Sequence, residues 1–150
     1  MVGFLKFNGG RIPIVGECSD ALHPGWIEVE SFDLGMGGPG GMLQSGAGRS
    51  AHHSVTIIKR TDSVSNALWA ASASKLFYPS AVLDVGSDSR KMRSYSMENV
   101  TVTSLWPGGL RDGVRVEQVV LDFDAIYWGP SLSGVLVSIA TILEQIGAMK

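Results

Sequence analysis

The chain has 150 residues, enough for one domain able to bury roughly 70% of the surface its unfolded form exposes. Hydrophobic residues make up 45%, charged ones only 17%, and 19 are glycine, a balance that points to turn-rich β-structure with part of its surface spared from water. A formal net charge of -2 with scattered Lys and Arg argues against a nucleic-acid or anionic-membrane partner.

Residues 4–7 read as a short strand ending in a turn at Asn8-Gly9-Gly10. Residues 12–18 follow, and Pro13, lacking a backbone N–H, restricts them to an edge or irregular strand. Cys18 is the only cysteine, so no internal disulfide is available and a reducing compartment is expected. No basic segment followed by an apolar run opens the chain, so no classical cleaved signal peptide is expected. Residues 26–34 form the next strand, with Ile27 and Val29 on one face.

The most distinctive segment is a glycine-laden arm over residues 35–53. Glycine loses much backbone entropy on ordering and has no side chain to offset the loss, so the arm cannot be core. A loop of that length is usually functional or disordered, and docking outside its own domain fits best.

Residues 54–60 resume as a strand with Val55 and Ile57 on one face. Val64, Ala67, Leu68 and Ala71 then sit at helical spacing and predict a helix over 63–76, capped by Asp62 or Ser63. Trp69 points away from that stripe and is a candidate for contact with a neighbour. Strands follow around Ala81, Leu83 and Val85, over 95–105, and over 114–128, with turns at 86–89 and 106–109. Many short strands with one helix predict a barrel or sandwich. From Pro130, the apolar positions Leu132, Val135, Leu136, Ile139, Ile142, Leu143, Ile146 and Met149 predict an amphipathic helix. It is shorter than a membrane span of about 20 residues, so packing on its own barrel or on a neighbour is expected. The chain thus divides into a barrel over 1–128 and a tail over 129–150.

Several motifs suggest chemistry and lose it in context. Gly46-Ala47-Gly48-Arg49-Ser50-Ala51 has the outline of a dinucleotide fingerprint, but a strand follows where the motif needs a helix. His52 and His53 are consecutive and so point to opposite faces of a strand, and nothing places His23 beside them, so no metal is expected. Asp122 and Asp124 are expected on one strand face, about 7 Å apart, as a solvated pair lacking any group to raise one pKa. Cys18 has no histidine nearby in sequence and reads as a small turn or core residue. The glycosylation triplet Asn99-Val100-Thr101 falls mid-strand. No catalytic, cofactor-binding or metal-binding residue is expected.

In order, Phe4-Leu5-Lys6-Phe7, Val15-Gly16-Glu17-Cys18, the run from Ile27 to Met36, Gly46-Ala47-Gly48-Arg49, the run from Ser54 to Asp62, that from Tyr95 to Ser104, and Val119-Val120-Leu121-Asp122-Phe123 resemble the Hcp family of bacterial type VI secretion. No one motif is specific; the ordered set is. The resemblance implies an all-β fold with one short helix: a two-sheet β-barrel of the Hcp and phage tail-tube type, assembled into a homo-hexameric ring. Such rings stack into a tube that works with the spike protein VgrG and a contractile sheath, and their lumens carry secreted effector proteins. Such a protein starts in the bacterial cytoplasm and is exported without a cleaved leader; it is not an enzyme and needs no cofactor, nucleic acid or membrane. Arm residues Gly35, Met36, Gly38, Pro39, Met42, Gly46, Gly48 and Arg49 would bridge neighbouring subunits or the ring above, and Ser31 and Asp33 are candidates for lumen and cargo contact. The Pro39-containing arm, His52-His53 and the tail from Gly129 depart from the ordinary family pattern. The tail leaves open an effector adaptor that forms rings without extending into a tube.

Overall fold

The computed structural model describes residues 2–36, 53–88 and 91–130. In chain order they form β1 (Val2–Asn8), β2 (Ile27–Val29), β3 (Ser31–Met36), β4 (His53–Arg60), α1 (Ser65–Ala73), β5 (Phe77–Asp88), β6 (Lys91–Arg111), β7 (Val114–Phe123) and β8 (Ala125–Pro130). The arm residues Gly38, Pro39, Met42, Gly46, Gly48 and Arg49 and the expected tail helix lie outside the described residues.

All pairings are antiparallel, in the order β2-β1-β5-β6-β7-β4-β3, with β8 also on β6. The two ends of that order, β2 and β3, are consecutive in the chain and separated only by Glu30, whose N–H donates to the Ile58 carbonyl at 2.8 Å. The path therefore returns on itself as a barrel, as expected. The two anticipated sheets are halves of one hydrogen-bonded path joined through β6: its first half pairs with β5 and β8, its second with β7.

Alternation decides what fills the barrel. Leu5 and Phe7, Val55 and Ile57, Ala81 and Leu83, and Val119, Leu121 and Phe123 all point into one core, which α1 completes with Val64, Leu68 and Ala71. Each of the valine, leucine, isoleucine and phenylalanine side chains among them contributes about 1.5–3 kcal/mol when fully buried. The helical stripe matches the predicted spacing, and Asp62 accepts the N–H of Val64, the residue just before the helix, at 3.1 Å, so the expected cap residue acts three positions ahead of the first helical residue. Lys75, at φ 52°, turns the chain out of the helix, two residues after Ala73.

Three elements differ from expectation. Residues 12–18 form no regular strand; a loop over 9–26 is pinned by Gly16 N–H to Gly25 O at 2.8 Å and Cys18 N–H to Trp26 O at 3.0 Å. Gly16 is required there, because a Cβ would overlap the Trp26 carbonyl. The turn expected at 106–109 is instead a register shift inside β6, between Pro107 and Leu110. The hairpin turns at Asp112-Gly113, with φ 53° and 79°, the two-residue geometry whose twist matches paired strands. Finally, the strand expected over 114–128 breaks at Asp124, whose N–H donates to Glu98 O at 2.9 Å.

Nothing lies within 4 Å of a Cβ placed on Gly113. Gly113→Ala is therefore expected to lose only the left-handed backbone cost, about 1–2 kcal/mol, read as a lower urea midpoint at unchanged slope. A larger loss would reveal a packing role for the turn.

Candidate assembly and cargo surfaces

Phe32 and Leu34 pack against the core, so Ser31 and Asp33, which alternate with them, face outward. Register extends that face. Ser31 lies opposite Ile58 and Asp33 opposite Thr56, while Ile58 and Thr56 in turn lie opposite Gln118 and Val120 on β7. The result is a half-buried, uncharged strip bordered by Asp33 and, opposite Ser54, by Asp122. Thr56, Ile58, Gln118 and Val120 were not singled out by sequence. Each strand's alternation was visible, but the register that aligns them is tertiary. Trp69 is 59% exposed on the helix face turned from the core, while Gly35 lies on β3, opposite Ser54.

Beneath one end of this strip sits a buried cation. Lys59 Nζ, 1% exposed, bonds Glu117 Oε1 at 2.7 Å, Asp62 Oδ1 at 2.9 Å and the Arg60 carbonyl at 2.7 Å. The Ser65 hydroxyl donates to the same Glu117 oxygen. Lys59 thereby ties β4, β7 and the first turn of α1 together. A lysine in a strand reads as solvated from sequence; only its odd-position alternation with Val55 and Ile57 signalled an inward side chain.

His23 is the second buried group, at 0% exposure. Its Nδ1 meets Asp20 Oδ2 at 2.8 Å and its Nε2 meets Asp84 Oδ2 at 2.9 Å. The ring stacks on Phe4 at 4.1 Å and takes Trp26 edge-on at 4.8 Å. It latches the 9–26 loop onto the outer face of β1 and β5, and both ring nitrogens are engaged in that role.

A cleft of about 640 Å³ opens where β2 leaves β4 to pair with β1. Its charges are largely matched from within: Arg60 to Glu30 at 3.0 Å, Arg111 to Glu30 at 3.9 Å, and Asp62 to Lys59. Glu17 at its margin accepts the Ser63 N–H at 2.9 Å. That bond, then the Ser63 hydroxyl and then the Lys59 charge hold its carboxyl below the ordinary 4.5 despite opposing desolvation. A carboxyl lowered on folding stabilises above its unfolded pKa and loses that contribution as pH falls through the folded value. Glu17→Gln should thus unfold slightly more readily than the parent at neutral pH, with the gap closing below pH 4.5. A constant gap across that range, measured by thermal unfolding, would exclude this linkage.

The remaining candidates separate. The strand ends before Asp124, so the repeat expected to place Asp122 and Asp124 on one face is not continued there; the Asn99 amide donates to Asp124 Oδ2 at 2.8 Å. Burial pushes the Cys18 thiol up, which keeps it protonated and packed. His52 lies outside the described residues, and among the described residues no three His, Cys, Asp or Glu side chains converge on one point. Likewise, among the described residues no helix is long and apolar enough to cross a membrane.

The described residues form an antiparallel barrel with one helix and a half-buried, uncharged outer strip. The sequence profile described as type VI secretion system effector, Hcp, matches residues 4–129, and the chain belongs to that family. Among solved structures, Hcp1 from Salmonella typhimurium is 25% identical, over 89% of this chain and 87% of its own, with a TM-score of 0.67. The secreted protein Hcp3 from Pseudomonas aeruginosa has the same fold at 15% identity, with 89% and 92% coverage and a TM-score of 0.61. The anti-feeding prophage cap, a tube terminating cap, follows at 12% identity, 86% and 88% coverage and a TM-score of 0.51. No curated protein sequence matches the chain.

Proposed function

We propose that the protein is the structural subunit of the type VI secretion inner tube, forming hexameric rings that stack and carry effector proteins in the lumen. The family match over residues 4–129 carries this reading. Its physical basis is the composition: charged residues are only 17% of the chain, and a glycine-rich arm that gains little alone is able to bury against copies of the same chain. Ser31 and Asp33, on the uncharged strip, contact cargo; Trp69 meets a neighbouring subunit; and Gly35, Met36, Gly38, Pro39, Met42, Gly46, Gly48 and Arg49 of the arm bridge subunits or rings. VgrG and the contractile sheath are the further partners, and the protein is exported from the bacterial cytoplasm. The role needs neither catalysis nor a cofactor.

Negative-stain electron microscopy of the purified chain tests this, with rings expected. A species that stays monomeric at high concentration would overturn it. A second reading draws on one observation: the family match ends at residue 129, before the apolar tail sequence of 131–150. In that reading residues 1–128 form the ring and the tail is an effector adaptor that stops tube growth. Removing 131–150 separates the two. Intact rings with lost cargo binding favour the adaptor, and longer stacks from the shortened chain would confirm a stop.

A further inference from the structure

Of the strand edges left open, two meet at one aromatic side chain. Among the described residues β3 pairs with β4 alone and β8 with β6 alone. The Phe32 ring of β3 lies 5.9 Å from that of Tyr95 on β6. Tyr95 in turn is opposite Trp128 of β8, so those two share the inward face of the sheet. Burial falls off at this point. Tyr95 belongs to the core, yet Phe32 and Leu34 are only half-buried and Trp128 is 40% exposed. An indole on the core side of a strand that still meets water marks a place where the core is uncovered.

A folded chain protects an open strand with charge, or covers it with a helix or loop. β8 carries no charged residue, and the one charge of β3, Asp33, faces outward, so covering is the device that remains. The sequence supplies a cover at the right point. Residues 131–150 begin three positions past Trp128, and Leu132, Val135, Leu136, Ile139, Ile142, Leu143, Ile146 and Met149 fall on one helical face. Only Glu144 and Lys150 are charged in that segment. A helix over 135–149 would be about 22 Å long, close to the roughly 20 Å of the six-residue β3. The arm leaves from the same region, at the end of β3, but over 37–52 its large apolar side chains are only Met42 and Leu43.

We propose that residues 131–150 fold back as a helix from the end of β8 into the opening between β8 and β3 of the same chain, seating their apolar face on Trp128, Phe32 and Leu34. Thr141, Glu144 and Gln145 fall on the opposite side at the helical period and stay in water. The tail is then the last layer of this chain's own core. Its apolar face is occupied, and so is not offered to an effector. The contact is complete within one subunit and does not depend on the tube reading.

The test pairs Leu34→Cys with Leu136→Cys, Ile139→Cys or Ile142→Cys in turn, in the full chain at high dilution, leaving the buried Cys18 in place. Mild oxidation is expected to give a faster-migrating monomer on a non-reducing gel for at least one pair, and for none of the single variants. Linked dimers in place of that monomer would seat the tail on a second copy, and no link at any position would leave the opening to something other than the tail; either result overturns the proposal. So would a link from Leu34→Cys to Met42→Cys with none to the tail, which would put the arm there. A second variant, Ile139→Glu with Ile142→Glu, alters nothing in residues 1–130. Amide hydrogen exchange over Ser31–Met36 should then be roughly tenfold faster or more, with exchange in β5 unchanged. Equal protection of β3 in the parent and this variant would count decisively against a docked tail.

Discussion

Lys59→Met is expected to lose about 3–5 kcal/mol of stability, the cost of removing one partner from a buried ion pair. At about 2–4 °C per kcal/mol for a chain of this size, the unfolding midpoint falls by roughly 6–20 °C. The cost arises from what stays behind. Glu117, 5% exposed, would keep a carboxylate whose strongest partner at 2.7 Å has gone, and Asp62 would lose the cation that holds it at the start of α1. Lys59→Met combined with Glu117→Leu should recover much of the loss, because two apolar side chains of similar volume need no compensation in the core. Urea unfolding at unchanged slope measures both. If the double variant is as unstable as the two single losses added together, the buried ion pair is not the origin of the effect.

His23→Ala is expected to be comparably costly, about 3 kcal/mol or more, again because the buried Asp84 carboxylate loses a partner. The imidazole bridges it to Asp20, which is 24% exposed. Deletion leaves Asp84, 1% exposed, facing the hole left beside Phe4 and Trp26. His23→Phe separates the contributions, since it restores stacking without either hydrogen bond. It should stay close to alanine in stability, and both variants should become open to limited proteolysis within 9–26. Full rescue by phenylalanine would make the latch a matter of packing alone.

Much of this architecture could be read directly from residue order. Val64, Ala67, Leu68 and Ala71 announced the helix, because a period of 3.6 residues depends only on neighbours in the chain. Ile27 with Val29 and Val55 with Ile57 announced inward faces for the same reason. The misses have local causes as well. Pro107-Gly108-Gly109 looked like a turn, yet a long strand absorbed it as a bulge, while the less conspicuous Asp112-Gly113 reversed the chain. Residue order gives Lys59 and His23 no buried role, because a charged or titratable residue is normally solvated. Their burial depends on Glu117, Asp62, Asp20 and Asp84, up to 61 residues away in sequence.

The order of residues alone determined the class of fold, the membership of Ser31 and Asp33 in an alternating strand, and the set of segments that marks the Hcp family. Only the tertiary structure decided which strands adjoin, that Ser31 and Asp33 share a face with Thr56, Ile58, Gln118 and Val120, and that Lys59 and His23 are buried. The division follows from the physics of sheets. Alternation is a property of one strand, whereas register and edges arise only when distant strands pair, and a shift of one residue would turn every side chain to the other face.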